Sequence, residues 1–393
     1  MDKSCKNCRQ NFEITSEDLN FYEKIGVSEP TLCPDCRYQR RLANRNEWNF
    51  YKRDCSLCGK SMVSLYNPTY PGPVYCQPCY WSDNWDTLDY GRDFDFNRPF
   101  FEQFKEHRFT VPRIALANSK SVNSEYTNQA SENRNCYMLV AASWNEFCAY
   151  SNWMQHSRES IDCWNLEKCE MMYEALFCND CYHCAFVDDC GSSHNIYFCD
   201  DVVGCSDCFG CVSIRKKSYC WFNEQLAKEE YEKRFKEVDW SWEGIRKNRE
   251  KLYQLRLTKP VDHLHGDQVV NSTGDYIDHT KNTHVAFNCG KNENLKYAQD
   301  AWEAKDCMDL TETLSNTLEY ELEGAGWSQG SMLSCKLWTG LDVLYSELTF
   351  HSEHIVGSVS LIKKKYCIFN KQYDKASFEE LRMRLVAHMK KTG

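Results

Sequence analysis

The chain has 393 residues, a formal net charge of −10 and 25 cysteines. Its length allows two or three domains, the lack of an eighteen-residue apolar run excludes a membrane-spanning helix, and the first residues lack the apolar core of a signal peptide. We therefore expect a cytoplasmic protein whose paired cysteines ligate metal rather than form disulfides, and whose acidity disfavours non-specific nucleic-acid binding by the whole chain.

Residues 1–90 are predicted to form a double zinc-ribbon module. Each C-x-x-C step lets two thiolates grip one ion from a tight turn, and two such steps complete a tetrahedron. The predicted ligands are Cys5, Cys8, Cys33 and Cys36 for one ion and Cys55, Cys58, Cys76 and Cys79 for the other. Exchange of partners between the two sets stays open. Four thiolates leave no open coordination position, so both Zn²⁺ ions are predicted to be structural.

Two helices are predicted around the first cysteine set. Thr15 and Ser16 mark the start of the first and Gly26 its end, and the second runs from about Pro34 to Asn46. Basic groups on the second helix lie near aromatic ones, which suits phosphate contact and base stacking. The alternative is a solvated helix face that also touches the acidic body of the chain. The candidate nucleic-acid contacts are Arg37, Arg40, Arg41, Arg45, Lys52 and Arg53.

These motifs carry a resemblance to a known family. The segment CKNCRQNFEITSEDLNFYEKIGVSEPTLCPDCRYQRR resembles the small probable zinc-ribbon domain found in many bacterial proteins. The continuation, RNEWNFYKRDCSLCGK and then VYCQPCYWSDNWDTLDYGRDFDFNRPFFEQF, resembles larger uncharacterised zinc-ribbon proteins of small-genome bacteria. The resemblance extends over most of the chain. It implies the zinc ligands and carries no known activity.

Residues 91–114 are predicted to form a linker with a helix. Pro99 suits the first turn of that helix, Phe101 and Phe104 share one of its faces, and Pro112 ends the segment. We expect the helix to dock the zinc module onto the domain that follows.

Residues 115–225 carry a cysteine repeat that predicts a β-solenoid. Segments rich in Tyr, Phe, Val and Cys alternate with Asn, Asp, Ser and Gly, which favours three short strands in a coil of about 21 residues. The cysteines are expected to point inward and to stack from coil to coil. Columns spaced by 21 residues are Cys148, Cys169, Cys190 and Cys211; Cys163, Cys184 and Cys205; and Cys178, Cys199 and Cys220.

The pattern stops in a helical stretch, residues 226–260, and then returns. GCVSIRKKSYCWFNEQ at 210–225 matches GSVSLIKKKYCIFNKQ at 357–372. This match predicts a tandem duplication, with a second β-solenoid at 261–373 and a capping helix at 374–393.

The duplication also bears on the role of these cysteine columns, together called the cysteine ladder, because some of its positions hold serine in the second copy. Serine is a poor metal ligand, so this exchange favours packing over ligation. The exchanged pairs are Cys199 with Ser346, Cys205 with Ser352, and Cys211 with Ser358. The alternatives are a redox role for the stack, or a metal or cluster held by Cys178, Cys181 and Cys184 with His183 or His194.

Two acidic columns share the 21-residue interval. One contains Glu146, Glu167 and Asp188, and the candidate cation or glycan site is the other, Glu159, Asp180 and Asp201. Carboxylates stacked on coils about 4.8 Å apart repel one another, so such a column can bind a cation or raise a pKa for acid–base chemistry. The alternative is a set of solvated turn residues.

The predicted fold class is mainly β, with the zinc-ribbon module followed by two tandem β-solenoids, each capped by a helix. The leading functional hypothesis is a non-enzymatic binding or scaffold protein with a macromolecular partner, in which the basic zinc module contacts nucleic acid or a ribonucleoprotein. The alternatives are a carbohydrate-active β-helix enzyme that uses the acidic columns, and a metal or redox protein that uses the cysteine ladder. The partner's identity and the oligomeric state are left open.

Overall fold

The computed structural model describes residues 1–43, 45–281, 286–290, 323–325, 328–329 and 335–392. No helix in these ranges is long and apolar enough to cross a membrane. The helices are α1 Ser16–Ile25, α2 Pro34–Leu42, α3 Gln77–Tyr80, α4 Phe100–Thr110, α5 Lys228–Lys236, α6 Trp242–Arg256 and α7 Lys375–Thr392, with a 3-10 turn at Thr87–Tyr90.

The strands are mostly short, as expected where the backbone turns every few residues. In chain order they are β1 Asp2–Ser4, β2 Asn11–Glu13, β3 Tyr51–Asp54, β4 Ser61–Ser64, β5 Val74–Tyr75, β6 Arg113–Ile114, β7 Asn118–Ser119, β8 Ala130–Ser131, β9 Tyr137–Val140, β10 Ala149–Gln155, β11 Trp164–Glu167, β12 Glu170–Asn179, β13 Tyr182–Gly191, β14 His194–Val203, β15 Ser206–Phe209, β16 Val212–Arg215, β17 Ser218–Trp221, β18 Glu224–Gln225, β19 Gly274–Asp278, β20 Ala286–Gly290, β21 Glu323–Ala325, β22 Ser328–Gln329, β23 Cys335–Leu344, β24 Phe350–Val356, β25 Lys365–Ile368 and β26 Lys371–Gln372.

The two helices of the zinc module begin where the sequence predicted. Thr15 caps α1 with a reciprocal pair of hydrogen bonds to Asp18, and Gly26 ends it in a left-handed conformation with φ of 71°. Pro34 is the first residue of α2. Proline has no backbone N–H group, and at this position that group would have no partner within the helix. Helix α2 ends at Leu42, four residues before the predicted end.

The body of the chain is a parallel β-solenoid, as predicted, but its coil has 12 residues instead of 21. Asn152 on β10 pairs with Trp164 on β11, and Trp164 pairs with Leu176 on β12. The same interval holds in the second segment, where Glu353 on β24 pairs with Lys365 on β25. The prediction of about 21 residues per coil is therefore wrong.

Every third residue of the solenoid points inward, and this explains the error. Cys178 and Cys181 are buried, and the residue before each is a left-handed corner, Phe177 with φ of 48° and Asp180 with φ of 51°. A coil thus has four sides of three residues, one inward, one outward and one at the corner. An interval of 21 residues contains a whole number of such triplets, so it keeps a cysteine inward while moving it to another side.

Thiols and hydroxyls play the same part in the narrow lumen. The thiol of Cys178 donates to the carbonyl of Leu176 at 3.1 Å, and the hydroxyl of Ser157 donates to the carbonyl of Gln155 at 3.0 Å. Such inward thiols and hydroxyls thus satisfy the carbonyl of the residue that precedes the corner. The serines that replace cysteine in the second segment do the same at 2.9 to 3.1 Å; they are Ser346, Ser352 and Ser358. These contacts are those expected of a packing role.

Both solenoid segments end in the same way. Asn223 has φ of 67°, and its side-chain amide both accepts from the N–H and donates to the carbonyl of Val212, each at 2.8 Å. Asn370, at φ of 59°, makes the same two bonds to Val359, also at 2.8 Å. The amide thus completes the last rung of each segment. Residues 282–285, 291–322, 326–327 and 330–334 of the predicted second solenoid lie outside the described residues, and the tandem duplication as a whole stays a prediction.

Helices cover the equivalent side wall of each segment. Tyr197 and Phe209 of the first pack against Tyr231 of α5. Leu344, Val356 and Ile368 of the second pack against Phe100 of α4 and Phe378 of α7. The expectation that the linker helix docks onto the domain that follows it is therefore wrong, because α4 packs on the end of the second segment.

The two segments lie side by side and run in opposite directions. The rings of Phe177 and Tyr276 stack with centroids 4.0 Å apart, which joins the middle of the first segment to the start of the second. The hydroxyl of Ser360 donates to the carbonyl of Pro112 at 2.6 Å, which joins the end of the second segment to the linker just before the first. This return path brings the last described coils beside the zinc module.

Candidate metal centres and ligand cleft

The first four predicted ligands converge on one point. Cys5 and Cys8 lie on a knuckle after β1, where Arg9 adopts φ of 65° and its N–H donates to the carbonyl of Cys5 at 3.0 Å. Cys33 is the residue before the first turn of α2, and Cys36 lies within that turn. The four sulfur atoms lie within 4.8 Å of one another, and those of Cys8 and Cys33 are 3.6 Å apart.

The second set repeats this construction. Cys55 and Cys58 lie on a knuckle after β3, where Gly59 adopts φ of 73° and its N–H donates to the carbonyl of Cys55 at 2.9 Å. Cys76 precedes α3 and Cys79 lies within it. Their four sulfur atoms also lie within 4.8 Å, and those of Cys58 and Cys76 are 3.9 Å apart. The grouping removes the exchange of partners that the spacing left open.

Both sets fit structural zinc. Zn–S bonds of about 2.3 Å in a tetrahedron separate sulfur atoms by about 3.8 Å, close to the separations observed. Burial opposes ionisation of Cys5 and Cys55, but backbone N–H groups, led by those of Cys33 and Cys58 respectively, lower the pKa of each thiol to about 6. Burial raises the pKa of Cys33 to about 12 and also raises that of Cys76 and Cys79, so the fit to zinc rests on the geometry of the sulfur atoms. The thiolate is the form that zinc binds. With four thiolates each, the sites hold two structural Zn²⁺ ions and leave no position for a substrate.

A hairpin, a knuckle and a helix N-terminus are the parts of a treble clef. Residues 2–45 match the family model of a probable treble clef domain. That match covers the first zinc site and agrees with the zinc-binding domain implied by the resemblance. The second site has the same hairpin, knuckle and helix beyond the matched residues. A comparison of the chain with curated proteins finds no match.

The predicted arginine face of α2 turns into the module. Arg37 and Arg41 are each only 3% exposed, and the Nη1 atom of Arg37 donates to the carbonyl of Leu32 at 2.7 Å. Arg45 forms an ion pair with Glu47. The expectation that these three arginines offer exposed charges to phosphate is therefore wrong, because burial and pairing engage their guanidinium groups within the module.

The remaining predicted basic contacts differ in accessibility. Arg40 and Lys52 are exposed, whereas Arg53 is half-buried and donates to the carbonyl of Asn67 at 3.2 Å. Nucleic-acid contact by these residues stays a prediction, narrowed mainly to Arg40 and Lys52.

The predicted acidic columns are not columns. Glu159, Asp180 and Asp201 all occupy left-handed corners, with φ of 47°, 51° and 55°. In a 12-residue coil, an interval of 21 places each of them on a different corner. The same holds for the outward residues Glu146, Glu167 and Asp188. The stacked cation or glycan site therefore does not form, and Asp201 instead pairs with Arg215.

A different acidic cluster lies beside α6. Asp188 and Asp200 face each other on neighbouring rungs of β13 and β14. Burial raises the pKa of Asp188 and Asp189, and it raises that of Asp200 to about 6 even though Arg256 pairs with Asp200 at 2.7 Å. His265 lies 3.7 Å from Asp189. The cluster thus ties α6 and the start of the second segment to the first.

The alternative metal site in the ladder does not assemble. Cys178, Cys181 and Cys184 are buried in the lumen, whereas His183 and His194 are exposed on the outside of the wall. The ring of His183 bonds Asn195 at 2.9 Å between Nδ1 and Oδ1. Within the described residues, only the two four-cysteine sets bring three or more potential ligands together.

A cleft that the sequence did not predict opens where three parts of the chain meet, with a volume of about 1080 Å³. Ser131, Ser143 and Trp144 line it from the first solenoid, Trp81 from the turn after α3, and Phe350 from the second segment. These residues are far apart in the chain, so no local motif marks them. The signal that could have found one wall is the 12-residue interval between outward serines, which is visible only once the coil length is known.

The aromatic rings of the cleft are held in place. Trp144 is 47% exposed and stacks on His156 with centroids 4.8 Å apart and planes 3° from parallel. Trp81 is 40% exposed and meets the ring of Phe350 edge-on at 5.0 Å. Each ring therefore keeps open surface in a fixed orientation.

Proposed function

We propose that this chain is a zinc-stabilised, non-enzymatic binding scaffold whose ligand lies in the cleft between the first solenoid, the zinc module and the end of the second segment. The observation that carries the proposal is the cleft itself, a concave site at the junction of three parts with exposed and oriented tryptophans. Ligand sites are commonly found at such junctions.

The zinc sites support this role through the shape of the cleft. Cys79 ligates the second ion, and the next two residues along the chain are Tyr80, which is fully buried, and Trp81, which lines the cleft. Tyr80 packs in one cluster with Ile114 and Phe350. Zinc at this site thus fixes the wall that carries Trp81.

Affinity capture tests the proposal. The immobilised chain is incubated with an extract of its own cells, and the retained molecules are compared with those retained by the double variant Trp81→Ala/Trp144→Ala. Trp242→Ala is the matched control, because Trp242 is 75% exposed at the start of α6 and does not line the cleft. We expect a saturable species that the wild type and the control retain and the double variant loses. Identical retention by all three proteins would refute the proposal.

A second candidate function is contact with single-stranded nucleic acid by the zinc module. It is favoured by exposed Arg40 and Lys52 and by Tyr38 and Tyr51 on the same two elements, α2 and β3, where each tyrosine is 39% exposed. Aromatic and basic groups together suit base stacking and phosphate contact. Fluorescence anisotropy with single-stranded RNA and DNA across a salt series tests it. Arg40→Ala/Lys52→Ala should weaken binding and flatten the salt dependence, whereas Lys233→Ala on α5 should not; no measurable binding would reject this candidate.

A further inference from the structure

We propose that the cleft binds an uncharged oligosaccharide. This inference rests on the proposed function and names the class of ligand. Three features of the described lining point to it: open indole faces, a row of hydroxyl groups, and acidic groups that outnumber the lysines.

The indole faces suit the apolar faces of sugar rings. A pyranose presents C–H groups on one face, and these pack against an aromatic ring whose face carries negative charge density. Trp144 and Trp81 both line the cleft and are 47% and 40% exposed, and their contacts with His156 and Phe350 hold them before a ligand arrives. A pre-ordered aromatic surface reduces the entropy lost on binding.

The hydroxyl groups form a regular row. Ser119, Ser131 and Ser143 all line the cleft and recur at the 12-residue coil interval, so their backbones lie on successive rungs about 4.8 Å apart. The Oγ atoms of Ser131 and Ser143 lie 2.9 Å apart. Because a hydroxyl has one donor and two acceptor positions, each retains capacity for a further hydrogen bond to a sugar hydroxyl.

The lining of the cleft carries no surplus of lysines. Lys120 pairs with Glu132 at 3.3 Å, and Lys364 pairs with Asp86 at 3.1 Å. These four residues line the cleft together with Asp83, Glu167 and Lys363, so its acidic groups outnumber its lysines by four to three. A phosphate chain or an acidic polysaccharide is drawn to a surplus of positive charge, which this lining does not provide.

An extended peptide is disfavoured by the wall itself. Peptides that add to a sheet need an exposed strand edge. Between Ala130 and Glu167, the strand segments of the first solenoid are paired along the stack with the coils before and after them, and the first rung, Asn118–Ser119, is paired with the coil after it. The wall therefore offers side chains, and its backbone groups are already engaged.

Titration with defined oligosaccharides tests the inference. Neutral hexasaccharides with β-1,4-glucose, β-1,4-N-acetylglucosamine, α-1,4-glucose, β-1,4-xylose and β-1,4-mannose linkages are titrated into the intact zinc-loaded protein, with tryptophan fluorescence and calorimetry as readouts. Polygalacturonate and poly(U) are the charged comparisons. Zinc content and circular dichroism verify that each variant is folded.

We expect at least one neutral hexasaccharide to bind with an affinity that changes little between 50 and 500 mM salt. Trp144→Ala should weaken that binding about tenfold or more, as loss of roughly 1.4 kcal/mol of stacking implies, while Trp144→Phe retains part of it and Trp242→Ala leaves it unchanged. Failure of every neutral hexasaccharide to bind would overturn the inference. Binding of only a charged polymer, weakened by salt and by Trp144→Ala, would also overturn it while leaving the cleft as the binding site of the scaffold.

Discussion

The Nε2 atom of His107 lies 2.9 Å from the Oδ1 atom of Asn370, although the two residues are 263 positions apart. Asn370 Oδ1 also accepts from the N–H of Val359, and Asn370 Nδ2 donates to Thr87 at 2.8 Å. Because Oδ1 can only accept, the imidazole must carry its proton on Nε2. One hydrogen-bond network therefore joins α4, the 3-10 turn of the zinc module and the last coil of the second segment.

Acid should weaken this junction through His107. Burial lowers the pKa of His107 to about 4, against 6.5 in an unfolded chain. The folded state thus holds the ring neutral while the unfolded state takes up a proton, so stability is fully present above pH 6.5 and is lost as the pH falls toward 4. Between pH 7 and pH 5 the loss should be about 2 kcal/mol.

His107→Gln tests this loss, since glutamine keeps an N–H donor and cannot be protonated in this range. Urea unfolding midpoints at pH 7 and pH 5 are compared for the wild type, His107→Gln and the exposed control His194→Gln. The decrease should be smaller in His107→Gln alone. An equal decrease in all three proteins would mean that His107 does not titrate on unfolding.

The asparagine caps should contribute unequally to stability. Asn370→Gly accepts the positive φ but removes the amide, which leaves buried backbone groups of Val359 without partners at about 1–3 kcal/mol each. Asn223→Gly removes the equivalent rung at a position that is only half-buried. Thermal unfolding should therefore show the larger decrease for Asn370→Gly, and a larger decrease for Asn223→Gly would contradict this ranking.

A buried ion pair should stabilise the contact between the linker and the second segment. Glu347 is only 6% exposed, and although burial raises its pKa, Arg113 and Arg108 lower it below the ordinary range. Glu347→Gln leaves the buried charge of Arg113 uncompensated, so we expect a loss of about 3–5 kcal/mol. Glu353→Gln breaks an exposed pair with Lys365 and should lose less than about 1 kcal/mol. Similar unfolding free energies for both variants would count against a role for burial.

The acidic cluster beside α6 should destabilise the fold at high pH, whereas His107 destabilises it at low pH. Burial raises the pKa of Asp200 to about 6, so folding disfavours its ionised form, and this penalty is complete above pH 6 and absent below about pH 4. Asp200→Asn should therefore be about 1 kcal/mol more stable than the wild type at pH 8, once solvent screening is allowed for, and the gain should disappear near pH 4. Asp201→Asn is the control, because the carboxylate of Asp201 pairs with Arg215. A loss of stability in Asp200→Asn at pH 8 would contradict the prediction.

Local chemistry was predictable from the sequence, and geometry that depends on distant residues was not. The C-x-x-C spacing identified both zinc sites, and Thr15 and Gly26 marked the ends of α1, because each signal is contained in a few neighbouring residues. The inward cysteines revealed a solenoid but not its coil length, since any multiple of three residues keeps a side chain in the lumen. Which residues stack on which side is decided by the left-handed corners, and nothing in the side chains at those corners marks them.

For the functional residues too, the sequence predicted local features but not contacts between distant residues. The helical spacing of Arg37 and Arg41 placed them on one face, as α2 confirms, but it could not say that the face is buried. The cleft combines Trp81, Trp144 and Phe350, which meet only because the second segment runs back along the first. Local motifs do not predict how the second segment packs against the first, so they could not predict the cleft.

The described cysteines divide into eight zinc ligands and a set that packs the solenoid lumen, where serine can take the place of cysteine. Elemental analysis of zinc per chain tests this division most directly. We predict two zinc ions in the wild type, one in Cys33→Ser, and two in Cys199→Ser/Cys205→Ser/Cys211→Ser, with the last variant folded because each hydroxyl can bond the same carbonyl as the thiol it replaces. Three or more ions in the wild type, or loss of metal from the triple variant, would contradict it.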